Sequence, residues 1–203
     1  MTLLTNKRIL ITGSEGKLAT QWKKAIENEG GIVVGLDISN DAEVTCPLGM
    51  QPGMLIHCLR KDIKAPFDGV ILAAAYNPPP TVLGSGYEDW TAQMGILRGH
   101  NILLDWMISE EKLNPNSSII MIGSDLSITG PDPKLYEDRV MKPAHYTVVK
   151  HATVGLMRHY ATLLASRHIR VNCLCPGAIN ESMPDEEFRD KLVAKIPMNT
   201  LAN

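Results

Sequence analysis

The strongest constraint on the fold is an alternation. Short, almost uninterrupted apolar runs at 8–12 (RILIT), 31–37 (GIVVGLD), 67–76 (FDGVILAAAY), 117–123 (SSIIMIG) and 169–175 (IRVNCLC) punctuate the chain, and stretches rich in helix formers lie at 17–29, about 87–111 and about 143–167. A strand that is apolar on both faces must be covered on both, and helices placed between such strands supply the two covers. The pattern predicts a doubly wound parallel α/β sheet of the Rossmann type. With 203 residues, 44% of them hydrophobic, the chain can bury one substantial core, so a single domain over 1–203 is expected.

Two regions are less legible. Between 38 and 66, both AEVTC (42–46) and MLIHC (54–58) qualify as the next strand, and the residues leave that choice open. The segments NPPP (77–80) and GPDPKLYEDRVMKP (130–143) lack periodicity and read as loops at the strand ends, where ligands bind in such folds.

Composition narrows the partners. A net charge of -2, a pI near 6.3 and the absence of a long Lys/Arg run give no electrostatic footprint for nucleic acid or an anionic membrane, so a small-molecule substrate is expected. Cysteines 46, 58, 173 and 175 lack paired metal-type spacing and read as reduced thiols. The six histidines have no acidic partners at ligand spacing, so no metal is expected. The apolar run Ile9 to Ile11 is too short for a membrane span and unlike a signal peptide, which makes a cytoplasmic protein the expectation.

In ITGSEGKLA (11–19), Gly13 and Gly16 sit between a strand and a helix, with small Ala19 where a third glycine often sits. Glycines there let backbone N–H groups approach a pyrophosphate at the positive helix N-terminus, so Gly13, Ser14, Glu15, Gly16, Lys17 and Leu18 are the candidate cradle. The same turn also occurs for purely structural reasons. Asp37 strengthens the nucleotide reading: it ends the second apolar run 21 residues after Gly16, where a carboxylate accepts both hydroxyls of an adenosine ribose. Asp37 and Glu15 would both repel a 2′-phosphate, which favours NAD over NADP, although Lys17 offsets part of that charge.

Tyr146 and Lys150 are spaced i, i+4 and share one face of the helix at 143–167. A phenol ionises near pH 10, but a neighbouring ammonium stabilises the phenolate and lowers that value, making the pair a usable acid/base. By itself this spacing is more often a surface pair.

Taken in order, the glycine turn, Asp37, Gly123-Ser124, the Tyr146/Lys150 helix and IRVNCLCPGAI resemble the short-chain dehydrogenase/reductase family over nearly the whole chain. The most specific part runs from SIIMIGSDLSITGPDPKLYE through PAHYTVVKHATVGLMRHYA to IRVNCLCPG, and it is similar to members associated with bacterial surface-glycan and flagellin modification. The resemblance implies hydride transfer between NAD(H) and a secondary alcohol or ketone, with sugar-derived compounds among the candidates. It makes Ser124 the group that hydrogen-bonds the substrate oxygen, with Ser127 the runner-up. Tyr146 would exchange the proton, and Lys150 would hold the nicotinamide ribose and tune the tyrosine. Pro176, Gly177 and Ile179 match the loop holding the nicotinamide, and Ala74 and Ala75 match the turn beside the adenosine half. A homodimer through the two long helices is also implied.

The chain departs from the family in several places. The family's relay asparagine aligns with Ile96 or Leu97, with Asn101 close but out of register. Ala73-Ala74-Ala75-Tyr76 replaces Asn-Asn-Ala-Gly, and Glu181 stands for a threonine. The chain also stops where relatives continue into a last strand, which would leave a sheet edge open and invite association. These differences motivate an alternative, a non-catalytic NAD-binding relative acting as a sensor or dimer partner. A sugar-nucleotide epimerase or dehydratase shares the Tyr/Lys chemistry but usually carries a longer C-terminal substrate domain. His145 and His151 read as surface or packing groups, and Met183 and Met198 as candidates to line the substrate loop.

Overall fold

The computed structural model describes residues 2–82, 89–136, 140–179 and 185–202. Glu181 and Met183 lie outside them. In chain order the elements are β1 (Arg8–Thr12), α1 (Lys17–Asn28), β2 (Ile32–Asp37), β3 (Val44–Thr45), α2 (Pro52–Asp62), β4 (Phe67–Leu72), β5 (Thr81–Val82), α3 (Asp89–Ser109), β6 (Leu113–Ile122), β7 (Val140–Met141), α4 (Ala144–Leu164), β8 (Arg170–Leu174) and α5 (Glu186–Val193). Six strands form one parallel sheet in the order β3-β2-β1-β4-β6-β8. This is the doubly wound Rossmann architecture that the alternation predicts.

Alternate residues along the central strands go to opposite faces. Leu10, Val70, Leu72, Ile119 and Met121 join the larger core with Leu55 and Leu59 of α2, Leu103, Leu104 and Met107 of α3, and Tyr160 and Leu164 of α4. Ile11 points the other way and packs with Ala19 and Ile26 of α1, flanked by Ile9, Trp22, Val33 and Ile71. At its C-terminus α1 is closed by glycine: Gly30 takes φ +79, its N–H donates to the Glu27 carbonyl, and the Gly31 N–H donates to that of Ile26. That is a Schellman closure, and it turns the chain straight into β2.

The open choice between 38 and 66 is resolved by Pro52. MLIHC lies on α2, which starts with that proline in its first turn and buries Leu55 and Leu59 one helical turn apart. Within AEVTC, Val44 and Thr45 form the short β3 against the end of β2. The loop reading of 130–143 needs correction. Pro133–Leu135 make a short 3-10 turn, and β7 pairs antiparallel with β5, Thr81 opposite Met141 and Val82 opposite Val140. A two-residue ladder is too short to leave a periodic signal, yet it pins Lys142 beside Asn77 and Pro78.

β8 pairs only with β6, so among the described residues its outer edge is open. One isolated parallel bridge, Ile179 to Ala202, lies beyond it. No helix among the described residues is long and apolar enough to cross a membrane.

Candidate active site

Chain order reverses between β1 and β4, both hydrogen-bonded neighbours at the sheet centre, and the loops leaving their C-terminal ends open a crevice there. Gly13 stands at its base. Its φ is +68, and a Cβ would lie 2.7 Å from Ala74 Cα, so both conformation and space demand glycine. Gly16 caps α1 with extended backbone, no side chain caps the first turn, and no acidic residue sits in it. The helix thus presents its positive end to the crevice.

Gly13, Glu15, Gly16, Asp37, Ala74 and Ala75 line one cavity of about 370 Å³, together with Ile38, Leu48 and Ile96. The Asp37 carboxylate is oriented by three backbone N–H groups, those of Glu15 (3.0 Å), Ile38 (2.7 Å) and Ser39 (3.1 Å). Ser14 lines neither cavity: its hydroxyl is fully buried, donates to Glu15 Oε1 at 2.9 Å and packs under Gly35. The charge argument for Glu15 is also softened, because Lys23 pairs with it at 3.2 Å and with Glu43 at 3.7 Å. Asp37 is left as the main anionic group of this half.

The second cavity, about 440 Å³, shares Ala73 and Ala75 with the first. Its walls include Lys17, Leu18, Ser124, Tyr146, Lys150, Pro176, Gly177 and Ile179, so residues from four distant stretches meet in one place. Ser124 caps the short 3-10 turn after β6. Its Oγ donates to Asp125 Oδ1 at 2.7 Å and accepts from the Leu126 N–H at 3.2 Å. Ser127 is buried away from this cavity and accepts the Ser124 N–H at 2.9 Å, closing a reciprocal capping box. Ser124 therefore faces the ligand space and Ser127 holds the turn. Gly123 is equally constrained, since a Cβ there would meet Ser127 Oγ at 2.8 Å and Cys175 Sγ at 2.9 Å.

Lys150 is buried and donates to the Ile122 carbonyl at 3.0 Å, with its Nζ 5.6 Å from the Tyr146 ring centroid. Burial lowers its pKa, and the thiols of Cys173 and Cys175 oppose that. The expected depression of the tyrosine by this lysine is not what the geometry gives. Burial pushes the Tyr146 phenol up, a hydrogen bond with Ser124 pulls it back, and the Asp125 carboxylate raises it further. Desolvation of the phenolate is the largest of these causes.

Sequence reasoning missed two residues here. His100 is buried, and Thr12 fixes its tautomer: Thr12 Oγ1 accepts the N–H groups of Ala73 (3.0 Å) and Ala74 (3.1 Å), so its own hydrogen goes to His100 Nε2 at 3.0 Å. The imidazole proton is then on Nδ1. Burial, helped by the Lys150 charge, lowers this histidine to about 3. Nothing in the helix pattern marks it out, because its partner lies 88 residues away. The other is Lys142, whose Nζ sits 4.5 Å from the Tyr146 ring centroid and donates to Asn77 Oδ1 at 2.7 Å and to the Pro78 carbonyl.

Elsewhere the expectations divide. Asn101 is engaged with the other face of α3, where its amide donates to Asp105 and Asp105 in turn accepts the buried Tyr160 hydroxyl at 2.6 Å. Ile96 lines the first cavity, so an apolar side chain stands where the relay asparagine was sought. His145 is buried edge-on to Trp90 and 3.7 Å from Asp89, a packing position, while His151 is exposed. Met198 is exposed and lines neither cavity.

Comparisons with known proteins agree with this fold. A family model described as enoyl-(acyl carrier protein) reductase matches residues 6–203. A 3-oxoacyl-(acyl-carrier-protein) reductase from Thermotoga maritima is 24% identical over 220 residues, covering 96% of this chain and 84% of the relative. Among solved structures, a short chain dehydrogenase from Leptospira borgpetersenii with bound NAD+ superposes with a TM-score of 0.81 at 19% identity, covering 98% of this chain and 82% of that one. A blue fluorescent protein from a metagenomic library in complex with NADPH gives 0.80 at 19% identity, covering 100% and 87%. At these identities the two structures speak for the fold alone.

Proposed function

The chain belongs to the short-chain dehydrogenase/reductase family, and from that membership we propose that it transfers a hydride between NAD(H) and a secondary alcohol or ketone. One observation carries the reading: Ser124, Tyr146 and Lys150 line a single cavity that adjoins, through Ala73 and Ala75, the cavity holding the glycine turn and Asp37. The residues fit the cofactor. A glycine cradle that a Cβ would fill, an uncapped helix N-terminus and a preoriented carboxylate are what a pyrophosphate and an adenosine ribose require.

Gly13, Gly16 and the N–H groups at the start of α1, including those of Lys17 and Leu18, would hold the pyrophosphate. Asp37 would take the adenosine ribose, favouring NAD because a 2′-phosphate would meet its charge. Ala74 and Ala75 would pass beside the adenosine, and Pro176, Gly177 and Ile179 beside the nicotinamide. When bound, the nicotinamide supplies or accepts the hydride. In the reductive direction Ser124 turns its hydroxyl from Asp125 to the carbonyl oxygen, Tyr146 gives that oxygen its proton, and Lys150 stabilises the phenolate left behind.

The test is to titrate NADH and NADPH by fluorescence and then screen carbonyl compounds. Tight NADH binding with turnover abolished in Tyr146→Phe supports the reading; turnover that survives that change sinks it. A second reading, a nucleotide-binding protein without turnover, is favoured by an apolar residue, Ile96 or Leu97, at the relay position and by a phenol pushed up rather than down. It predicts NADH binding with no carbonyl reduced. None of the relatives described above bears on the surface-glycan or flagellin-modification resemblance, which is proposed only as a place to look for sugar-derived substrates. We also propose a homodimer through α3 and α4, whose outer faces leave Met94, Val148 and Leu163 exposed; sedimentation velocity at rising concentration tests it.

A further inference from the structure

The substrate cavity holds a cation that the hydride-transfer reading does not use. Lys142 follows β7 and is fixed there by the β5–β7 ladder, which sets it against Asn77 and Pro78. Its ammonium stands over the ring of Tyr146, on which Lys150 also bears. Both acceptors of Lys142 are uncharged, and it forms no ion pair among the described residues. The carboxylates lining the same cavity are engaged otherwise. Asp125 accepts the Ser124 hydroxyl and the Leu126 N–H, and Asp132 pairs with Lys195 and accepts the Lys134 N–H. Among the described residues Tyr136, which follows the 3-10 turn at 133–135, also bears on Tyr146, and Lys17 at the start of α1 lines the same cavity.

A part-buried ammonium beside a reacting phenol, answered among the described residues only by neutral oxygens, leaves a charge uncompensated there. That cost is visible in its acidity: burial, with Lys150 adding to it, lowers Lys142 to about 8. A carboxylate entering the cavity would supply the missing counter-charge at little desolvation cost to the protein, since the lysine is already partly dehydrated. One ammonium matches the single charge of a carboxylate.

We propose that Lys142 is the substrate-recognising residue of this cavity, and that the substrate is a keto or hydroxy acid whose carboxylate pairs with it while the carbonyl or carbinol carbon faces Tyr146. The inference rests on the proposed chemistry at Tyr146. The carbonyl carbon of the acid takes a hydride, with its electron pair, from the reduced nicotinamide. Its oxygen takes the Tyr146 proton, so the keto acid is reduced to the hydroxy acid as the nicotinamide is oxidised.

The test compares pyruvate, acetoacetate and levulinate, which differ in the spacing of carbonyl and carboxylate, with their methyl esters, using NADH as reductant. For the acid whose spacing fits, kcat/KM is expected to exceed that of its ester by about tenfold or more, the value of one ion pair of about 1.4 kcal/mol. Lys142→Met should bring the ratio towards one and Lys142→Arg should keep most of it. A merely structural lysine would lower acid and ester together and leave the ratio alone. The preference should also fade as the pH rises past about 8 and the ammonium loses its proton. Esters reduced as well as acids at all three spacings, or a ratio untouched in Lys142→Met, would overturn the proposal. If nothing is turned over, calorimetry of the three acids against the protein with NADH separates the two claims. Binding that is lost in Lys142→Met keeps the anion site and retires the chemistry at Tyr146; no binding of any acid retires the anion site.

Discussion

The two halves of the crevice are built from different materials. On the side proposed for the adenosine the working parts are mostly backbone: the Gly13–Gly16 turn, the start of α1, and one carboxylate, Asp37, oriented by three N–H groups. On the side proposed for the substrate they are side chains, with Ser124, Lys142, Tyr146 and Lys150 facing one cavity. Backbone sites tolerate substitution of neighbouring side chains but not of the glycines. Side-chain sites set reactivity through burial and charge, so a substitution such as Tyr146→Phe should change chemistry and leave the fold and the nucleotide affinity alone.

The sharpest separation comes from Tyr146→Phe. It should cost about a thousandfold in kcat/KM, the range for losing a positioned proton donor, while NADH affinity by fluorescence titration stays within about twofold. A comparable loss of NADH binding would mean that the halves are not separable. Gly13→Ala attacks the other half through the backbone, since it imposes φ +68 on an alanine and drives its Cβ into Ala74. Stability in urea should fall by about 3 kcal/mol, and NADH binding should weaken with it.

His100 joins the halves, because Thr12 ties it to the Ala73-Ala74 turn while Lys150 lies near it. Its folded pKa of about 3 lies below the ordinary histidine value, so between about 3 and 6.5 the unfolded chain binds the extra proton. Stability therefore falls as pH drops through that window, by up to about 1.4 kcal/mol per pH unit, or about 2 kcal/mol between neutrality and pH 5. Urea unfolding of His100→Gln at both pH values should show that acid loss reduced by a similar amount. The smallest effect belongs to Asp37→Ala. NADH should bind about tenfold more weakly, about 1.4 kcal/mol, and the gap between NADH and NADPH should narrow while kcat at saturating NADH holds. An unchanged gap would remove the charge argument for NAD.

The geometry of the half proposed for the adenosine was legible in the sequence because its information is local. A strand, a glycine turn, a helix and an acidic residue at the next strand end are fixed by spacing, and Gly13, Gly16 and Asp37 stand where that spacing put them. Ser14 was not, because a side chain's direction at a turn depends on what packs above it, here Gly35 of β2. In the half proposed for the substrate, Ser124, Tyr146 and Lys150 were picked out through family resemblance, since the i, i+4 spacing of Tyr146 and Lys150 alone is common. Lys142 and His100 left no signal, since each acquires its role from a partner remote in the chain, Asn77 for one and Thr12 for the other.

The sequence by itself determined the layer order and the site's address. Apolar runs covered on both faces allow only a sheet buried between helices, and parallel strands with helical crossovers place ligands at their C-terminal ends. Tertiary structure decided the electrostatics. Desolvation depends on what surrounds a group in three dimensions, so only the folded chain reveals that Tyr146 is pushed up, that His100 is held neutral, and that Lys142 is brought beside Tyr146 by a two-residue ladder with no periodicity to announce it.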